Sequence, residues 1–357
     1  MDSGKSHLLA PLVVITWMGF SSFFIILMKQ TLVPTGFPFP LALTSLHMVS
    51  CWTAFGLLRH MAPLRLRSKL MPDAEVEISQ KDFRQAIVPI GLFNAGGLAL
   101  GNLAVRVSSV AFLQMIKPAN LVWGSLGAFA LGIEPATATH VIIVAIVVSG
   151  VSIASYTNAE FVLSGFALQI MATLTEGMKL VLVQNVTSKR LKLDPLTTIH
   201  RYAPIACVCL ACLSALIEGA GCLEQLLIVW PLVLMNCMAA VVLNILIVGT
   251  VACTSAVVFM LSGVAKDIIT IGASMLVFGS IVGINQLVGF SLSLVGILLY
   301  KAYKNNLSIF LQLGFFGGLA ALLEVSEKPQ TPANIKDIEL QAELKSEEDT
   351  ACHPRVR

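Results

Sequence analysis

The chain has 357 residues, 56% of them hydrophobic and 12% charged, with a formal net charge of +3. A soluble domain carries about 25% charged residues, so a water-facing globule is excluded. A positive excess this small, scattered over short segments, also excludes a nucleic-acid-binding surface.

The apolar residues come in runs of roughly 20, the length of helix that crosses a bilayer core. Helices are dictated there because lipid cannot satisfy backbone polar groups. In chain order the pattern predicts spans over roughly 8–30, 38–58, 85–105, 109–131, 138–156, 160–186, 196–218, 226–248, 252–278 and 282–302. The expected fold class is therefore all-α integral membrane, with about ten transmembrane helices. The first run, Leu8 to Leu27, is long for a signal-peptide core. Lys29 and Pro34 follow it instead of a small-residue cleavage site, so it reads as the first span and not as a cleavable signal. Short connections make residues 1–305 one domain. Residues 307–323 add an apolar stretch that is short and holds a Gly-Gly pair. It is expected to be interfacial or loosely packed, within a segment 306–323, an eleventh span being the alternative. From Glu324 the chain is charged and contains Pro329, Pro332 and Pro354, so 324–357 is expected to be a disordered cytosolic tail.

Lysine and arginine in the loops orient the bundle. One set of loops carries Lys5, Arg59, Arg65, Arg67, Lys69, Lys81, Arg84, Lys189, Arg190, Lys192, Lys301 and Lys304. The opposite set carries Arg106 beside Glu160, Glu218 and Glu224. This bias puts both termini in the cytosol, as an even number of spans requires. The sequons at Asn185 and Asn306 would then be cytosolic and unmodified.

A weak internal repeat relates the fourth run, AFLQMIKPANLVWGSLGAFALG, to the ninth, VFMLSGVAKDIITIGASMLVFG. Each holds a phenylalanine, then one lysine, then a stretch rich in Gly, Ser and Ala. The fourth and ninth spans cross in opposite senses, so the halves, about 8–156 and 160–303, are expected to be five-helix repeats related by inversion. That is a transporter architecture with its site at mid-membrane.

Charges inside spans are costly and each needs a reason. Lys117 lies roughly 12 Å deep and Lys266 roughly 18 Å deep at 1.5 Å per residue. Two lysines at similar depth in related helices can converge on one cavity, where a phosphate would offset their desolvation. The structural alternative pairs each lysine with a carboxylate, and Asp267 beside Lys266 is available for that. Glu176 and Lys179, at i and i+3, read as an internal salt bridge, with a substrate contact or gate as the alternative. Lys29 is placed to snorkel, and His47 reads as a polar residue satisfied between helices. Gly96, Gly97, Gly101, Gly124, Gly127, Gly272 and Ala273 would permit close helix contact. Cys207, Cys209 and Cys212 sit in an apolar run and read as unpaired thiols, not as metal ligands. No metal-ligand cluster, P-loop or Ser/His/Asp set is present, so an enzyme, a metal and a cofactor are not expected.

Three segments resemble the triose-phosphate/nucleotide-sugar translocator family. The first, Gly36-Phe37-Pro38-Phe39-Pro40 through Leu43-Thr44 and Leu46-His47-Met48, resembles the start of its second helix. The second, Gly101-Asn102 followed by Ser109-Val110 and Phe112 through Gln114-Met115-Ile116-Lys117, resembles its third and fourth helices. The third, Lys266-Asp267, Leu276 to Gly279, and Gly289-Phe290 through Gly296 to Tyr300-Lys301, resembles its ninth and tenth. The likeness covers nearly all of residues 10–304. It implies the drug/metabolite-transporter fold, ten helices in two inverted halves. Its members are antiporters of Golgi, endoplasmic reticulum or plastid membranes, and the nucleotide-sugar members export the nucleoside monophosphate in exchange. By this likeness Lys117 and Lys266 line the central substrate site; apart from the likeness, Asp267, Gln114, Glu176, Lys179 and Asn102 are further candidate contacts. Two departures stand out. Plastid sugar-phosphate members tend to have Lys-Arg where this chain has Lys266-Asp267, which argues against a bare triose phosphate. The family's proline after the fourth-helix lysine falls here at Pro118, directly after Lys117. No plastid transit peptide is apparent before the first run.

The expectation is an alternating-access antiporter of a nucleotide sugar or sugar phosphate, with a nucleoside monophosphate or phosphate as counter-substrate. It would lie in the Golgi or endoplasmic reticulum membrane, as monomer or homodimer. The alternatives are a carrier of a non-phosphorylated metabolite on the same fold and a non-transporting membrane protein.

Overall fold

In the computed structural model the described residues are 3–32, 36–61, 71–132, 137–156, 161–186, 191, 193–219, 221–253 and 256–327, of which 3–10, 251–253, 256–261 and 323–327 are described by backbone alone. The loop residues Arg65, Arg67, Lys69, Glu160, Lys189, Arg190 and Lys192, and the tail from 328 onward, lie outside the described residues.

Every element is helical among the described residues. In chain order they are α1 (Ser3–Thr31), α2 (Pro40–Met61), α3 (Gln80–Val107, with a π turn over Phe83–Ile87), α4 (Val110–Ile116), α5 (Ala119–Ala130), α6 (Ala138–Tyr156), α7 (Leu163–Asn185), α8 (Pro195–Ile217), α9 (Gly221–Cys253), α10 (Ala256–Phe278), α11 (Ile284–Asn305) and α12 (Leu307–Glu327). Among the described residues, eight of these are each long and apolar enough to cross a membrane: α1, α2, α3, α6, α7, α8, α9 and α11. The fourth predicted span is divided into α4 and α5, and α10, of 23 residues, is the ninth. The chain is a multi-pass, all-helical membrane protein.

Sequence runs and helices differ where backbone chemistry intervenes. The fourth run breaks at Lys117 and Pro118, because Pro118 has no N–H to give the carbonyl four residues back. The eighth starts earlier than its apolar run, at Gly221, and kinks at Val229 (φ −110°, ψ 21°), two residues before Pro231. α12 is interrupted at Gly314, whose φ of 69° is open to glycine and costly for other residues. It packs against α6 and α11.

The packing carries the repeat. If the ten crossings are numbered with α4/α5 as the fourth and the halves exchanged, so that crossing one becomes six and so on, the principal contacts map onto one another. The α1–α9 contact becomes α3–α7, α1–α10 becomes α5–α7, and α2–α9 becomes α3–α8. The α2–α8, α4–α10 and α6–α11 contacts map onto themselves. An offset of five reverses direction, so the repeats are inverted.

Side chains tie the two ends of the bundle separately. At one end Glu218, closing α8, accepts from the first free N–H groups of α2, Leu41 N at 2.8 Å and Ala42 N at 2.9 Å. This satisfies donors a helix start leaves orphaned. At the same end the Lys29 amine, at the close of α1, donates to the carbonyls of Val105 and Ser108 where α3 finishes. Lys29 therefore caps a helix instead of snorkelling. At the other end Asp194 caps α8 through Thr197 N at 2.8 Å, and it exchanges backbone-to-carboxylate bonds with Asp73.

Glycines set the closest crossings. A Cβ on Gly177 of α7 would lie 2.5 Å from the Asn120 carbonyl oxygen and 2.7 Å from Gly124 N of α5. One on Gly150 of α6 would lie 2.5 Å from Ser293 N of α11. Gly272, expected at a close contact, has no neighbour within 4 Å of its Cβ position among the described residues. Backbone cannot yield as a side-chain tip can, so Gly177→Leu is expected to destabilise the protein by about 1–3 kcal/mol. The readout is earlier melting in detergent; a melt equal to that of the unaltered chain would contradict this crossing.

Candidate functional site

The α4/α5 break places Lys117 at the turn between two half-helices, outside regular i to i−4 bonding. Asn120 N bonds Lys117 O at 3.0 Å and Leu121 N bonds Pro118 O at 3.1 Å. Discontinuous helices at membrane depth occur where backbone lines a cavity or is buried in protein. The Gly124–Gly177 crossing then lays α7 against this turn, which brings Glu176 and Lys179 to it. The stem of Glu176 also rests on Gly97 of α3, whose Cβ position is 3.3 Å from Glu176 Cγ. From the other side α10 packs on α4 and brings Lys266 and Asp267.

These five charges form one cluster. Lys117 interacts electrostatically with Glu176 and Asp267, Lys179 with Glu176 and Lys117, and Lys266 with Lys117, Asp267 and Glu176. Lys266 Nζ lies 2.6 Å from Asp267 Oδ1. Lys179 Nζ donates to Asn94 Oδ1 of α3 at 3.4 Å. Lys266 is buried, while Lys117, Glu176, Lys179 and Asp267 are half-buried, so the cluster is partly accessible. Three ammonium groups against two carboxylates leave a formal charge of +1 in the bundle.

The surroundings hold the cluster in place and leave it incomplete. Thr270 Oγ1 donates to the Lys266 carbonyl at 2.8 Å and lies 2.9 Å from Ser22 Oγ of α1, which fixes the Lys266 turn against α1. Gln114 stands one turn before Lys117, and its buried Oε1 has no hydrogen-bond partner among the described residues. A buried acceptor left so costs free energy and is suited to a donor supplied by a ligand. Cations that can bind an anion, beside an acceptor that can take a hydroxyl or amide hydrogen, suit a polyhydroxylated or nucleoside-linked anion.

Of the seven predicted site residues, the fold brings Lys117, Glu176, Lys179, Lys266 and Asp267 together, with Gln114 adjoining in sequence and helix turn. The Asn102 amide donates to the Thr44 hydroxyl of α2, a clasp between α2 and α3. His47 is buried against the Phe24 ring, 5.6 Å between centroids, and faces Asn236 of α9. Asn94 and Ser22 were not legible as site neighbours. A single Asn in Phe93-Asn94-Ala95-Gly96-Gly97 is the one signal that could have marked α3.

A sequence profile described as the Triose-phosphate Transporter family matches residues 8–301. The chain belongs to the triose-phosphate transporter family. Among its Arabidopsis thaliana relatives, one named "Probable sugar phosphate/phosphate translocator" is 30% identical over 307 residues, covering 84% of this chain and 81% of the relative. A second of that name is 29% identical, covering 84% and 79%. "UDP-galactose transporter 1" is 26% identical over 312 residues, covering 83% and 88%. For this triose-phosphate transporter family member, the Asn102–Thr44 clasp carries a prediction. Asn102→Leu should cost about 0.5–2 kcal/mol of stability and leave the transport KM within about twofold. A tenfold rise in KM with an unchanged melt would return Asn102 to the substrate site.

Proposed function

We propose that this protein is an alternating-access antiporter that exchanges a nucleotide sugar or sugar phosphate for a nucleoside monophosphate or phosphate. The membrane is that of the Golgi or endoplasmic reticulum, with both termini cytosolic. The observation that carries this reading is the partly accessible cluster of Lys117, Lys179 and Lys266 with Glu176 and Asp267, formally one positive charge in excess. An uncompensated positive charge inside a membrane bundle is unfavourable when empty, and a phosphate supplies the missing counter-charge. The names of the relatives, sugar phosphate/phosphate translocators and a UDP-galactose transporter, support cargo of this class. Phosphate oxygens accept from Lys117 and Lys266, which sit on the paired fourth and ninth crossings. Their shared counter-ion draws α4 and α10 together into an occluded state, and the inverted halves then rock to expose it on the other side. Gln114 Oε1 takes a hydroxyl or amide hydrogen of the cargo.

Asp267 refines the class. It holds an ion-pair contact with Lys266, leaving less free positive charge than a Lys-Arg pair would. That favours cargo whose phosphate is esterified and whose hydroxyls can bond a carboxylate. It also keeps a non-phosphorylated, polyhydroxylated solute as the second reading. The test is counterflow in liposomes preloaded with UMP, GMP or phosphate, against a panel of labelled nucleotide sugars, sugar phosphates and neutral sugars. Uptake of a phosphorylated compound that requires an internal phosphorylated anion is expected. Uptake of neutral sugars alone would replace the proposal with the second reading.

A further inference from the structure

A crevice separate from the charge cluster opens between α5, α7 and α11, with a volume of about 230 Å³. These helices are the fourth, sixth and tenth crossings, so they run in the same direction and their C-terminal ends share one membrane face. Gln184 and Lys304 lie toward that face, with Tyr300 a turn further in. Leu180, Val181 and Ile297 line the depth, beside the Gly124–Gly177 crossing that leaves the space unfilled. The seven residues from Ile297 to Lys304 place the floor roughly 10 Å below the mouth at 1.5 Å per residue. Lys304 is exposed, with its amine 5.8 Å from the Tyr300 ring centre. Leu180 at the edge is 53% exposed, so the crevice opens sideways to lipid.

We infer that this crevice binds an anionic phospholipid, its phosphate at Lys304 and one acyl chain between α5, α7 and α11. Three observations select that occupant. The volume lies below the roughly 300–1,000 Å³ of small-molecule sites, which leaves too little room for a nucleotide sugar but suits a length of hydrocarbon chain. Polarity is greatest at the mouth, with a cation, an amide and a phenol at the interface, and mostly apolar side chains below beside Asn120 and Ser125, matching an amphiphile with an acidic head. The mouth sits where lysine and tyrosine meet headgroups, and basic pockets between transmembrane helices hold acidic headgroups. The site is independent of the cargo, since no residue of the charge cluster lines it.

The test is native mass spectrometry of the full-length protein in detergent supplied with equal phosphatidylinositol and phosphatidylcholine. One phosphatidylinositol adduct is expected to be retained in preference. Lys304→Gln should cut that preference about fivefold, the effect of one basic residue at an anionic surface. Leu180→Trp, which fills the groove from an exposed position, should remove the adduct with Lys304 intact; a monodisperse gel-filtration peak certifies each fold. Equal retention of phosphatidylcholine, an unchanged preference in Lys304→Gln, or displacement of the adduct by inorganic phosphate would each overturn the assignment.

Discussion

Lys117→Ala is expected to reduce exchange by on the order of a hundredfold or more in proteoliposomes while the protein remains folded. One charge facing a bound anion in an effective dielectric near 20 contributes on the order of 1–4 kcal/mol, and each 1.4 kcal/mol is tenfold. Lys117 stands at the α4/α5 break and interacts electrostatically with the carboxylates Glu176 and Asp267. Its loss takes the cluster from a formal +1 to neutral and leaves less charge to attract phosphate. Lys266→Ala should be as damaging for an additional reason. It strips Asp267 of the amine 2.6 Å away and leaves a carboxylate that repels the cargo. Lys266→Ala with Asp267→Asn should therefore recover part of the loss, a non-additivity expected of neighbours in one network. Full exchange in either lysine variant would show that the lysines only hold the bundle together.

Glu176→Gln is expected to lower the KM for phosphorylated cargo by about tenfold and to slow turnover. Glu176 acts on Lys117, Lys179 and Lys266 together, so in the empty protein it is the shared internal counter-ion. Removing it raises the cluster to a formal +2. One charge at close range in an effective dielectric near 20 contributes on the order of 1–4 kcal/mol. Cargo then binds more tightly and is released more slowly. The check is initial-rate exchange over a range of external cargo, with internal anion saturating. Unchanged KM and turnover would mean that Glu176 does not face the cargo.

The long apolar helices were legible because hydropathy reports length directly, and the two lysines Lys117 and Lys266, which interact electrostatically, because charges inside apolar runs stand out. What was hidden is orientation about each helix axis. A span that is apolar all round has no polar face to say which side meets its neighbours, so Asn94, Ser22 and Thr270 gave no sign that they stand beside Lys179 and Lys266. The same limit hid the partner of Asn102, whose position within a motif suggested the site and whose amide bonds Thr44. Pairings such as Lys29 with Val105, or Asp73 with Asp194, join residues far apart in sequence. No local pattern carries those. The split of the fourth span was different, since Pro118 announced it in the sequence.

The most direct test of the central claim compares one cargo with and without its phosphate. The compound that counterflow identifies and its dephosphorylated counterpart would each be titrated calorimetrically into the purified protein and into Lys117→Ala. The charge cluster predicts at least about hundredfold tighter binding of the phosphorylated form to the unaltered protein, and a difference that largely disappears in Lys117→Ala. Equal affinity for both forms in the unaltered protein would contradict phosphate recognition by these lysines and make the cluster structural.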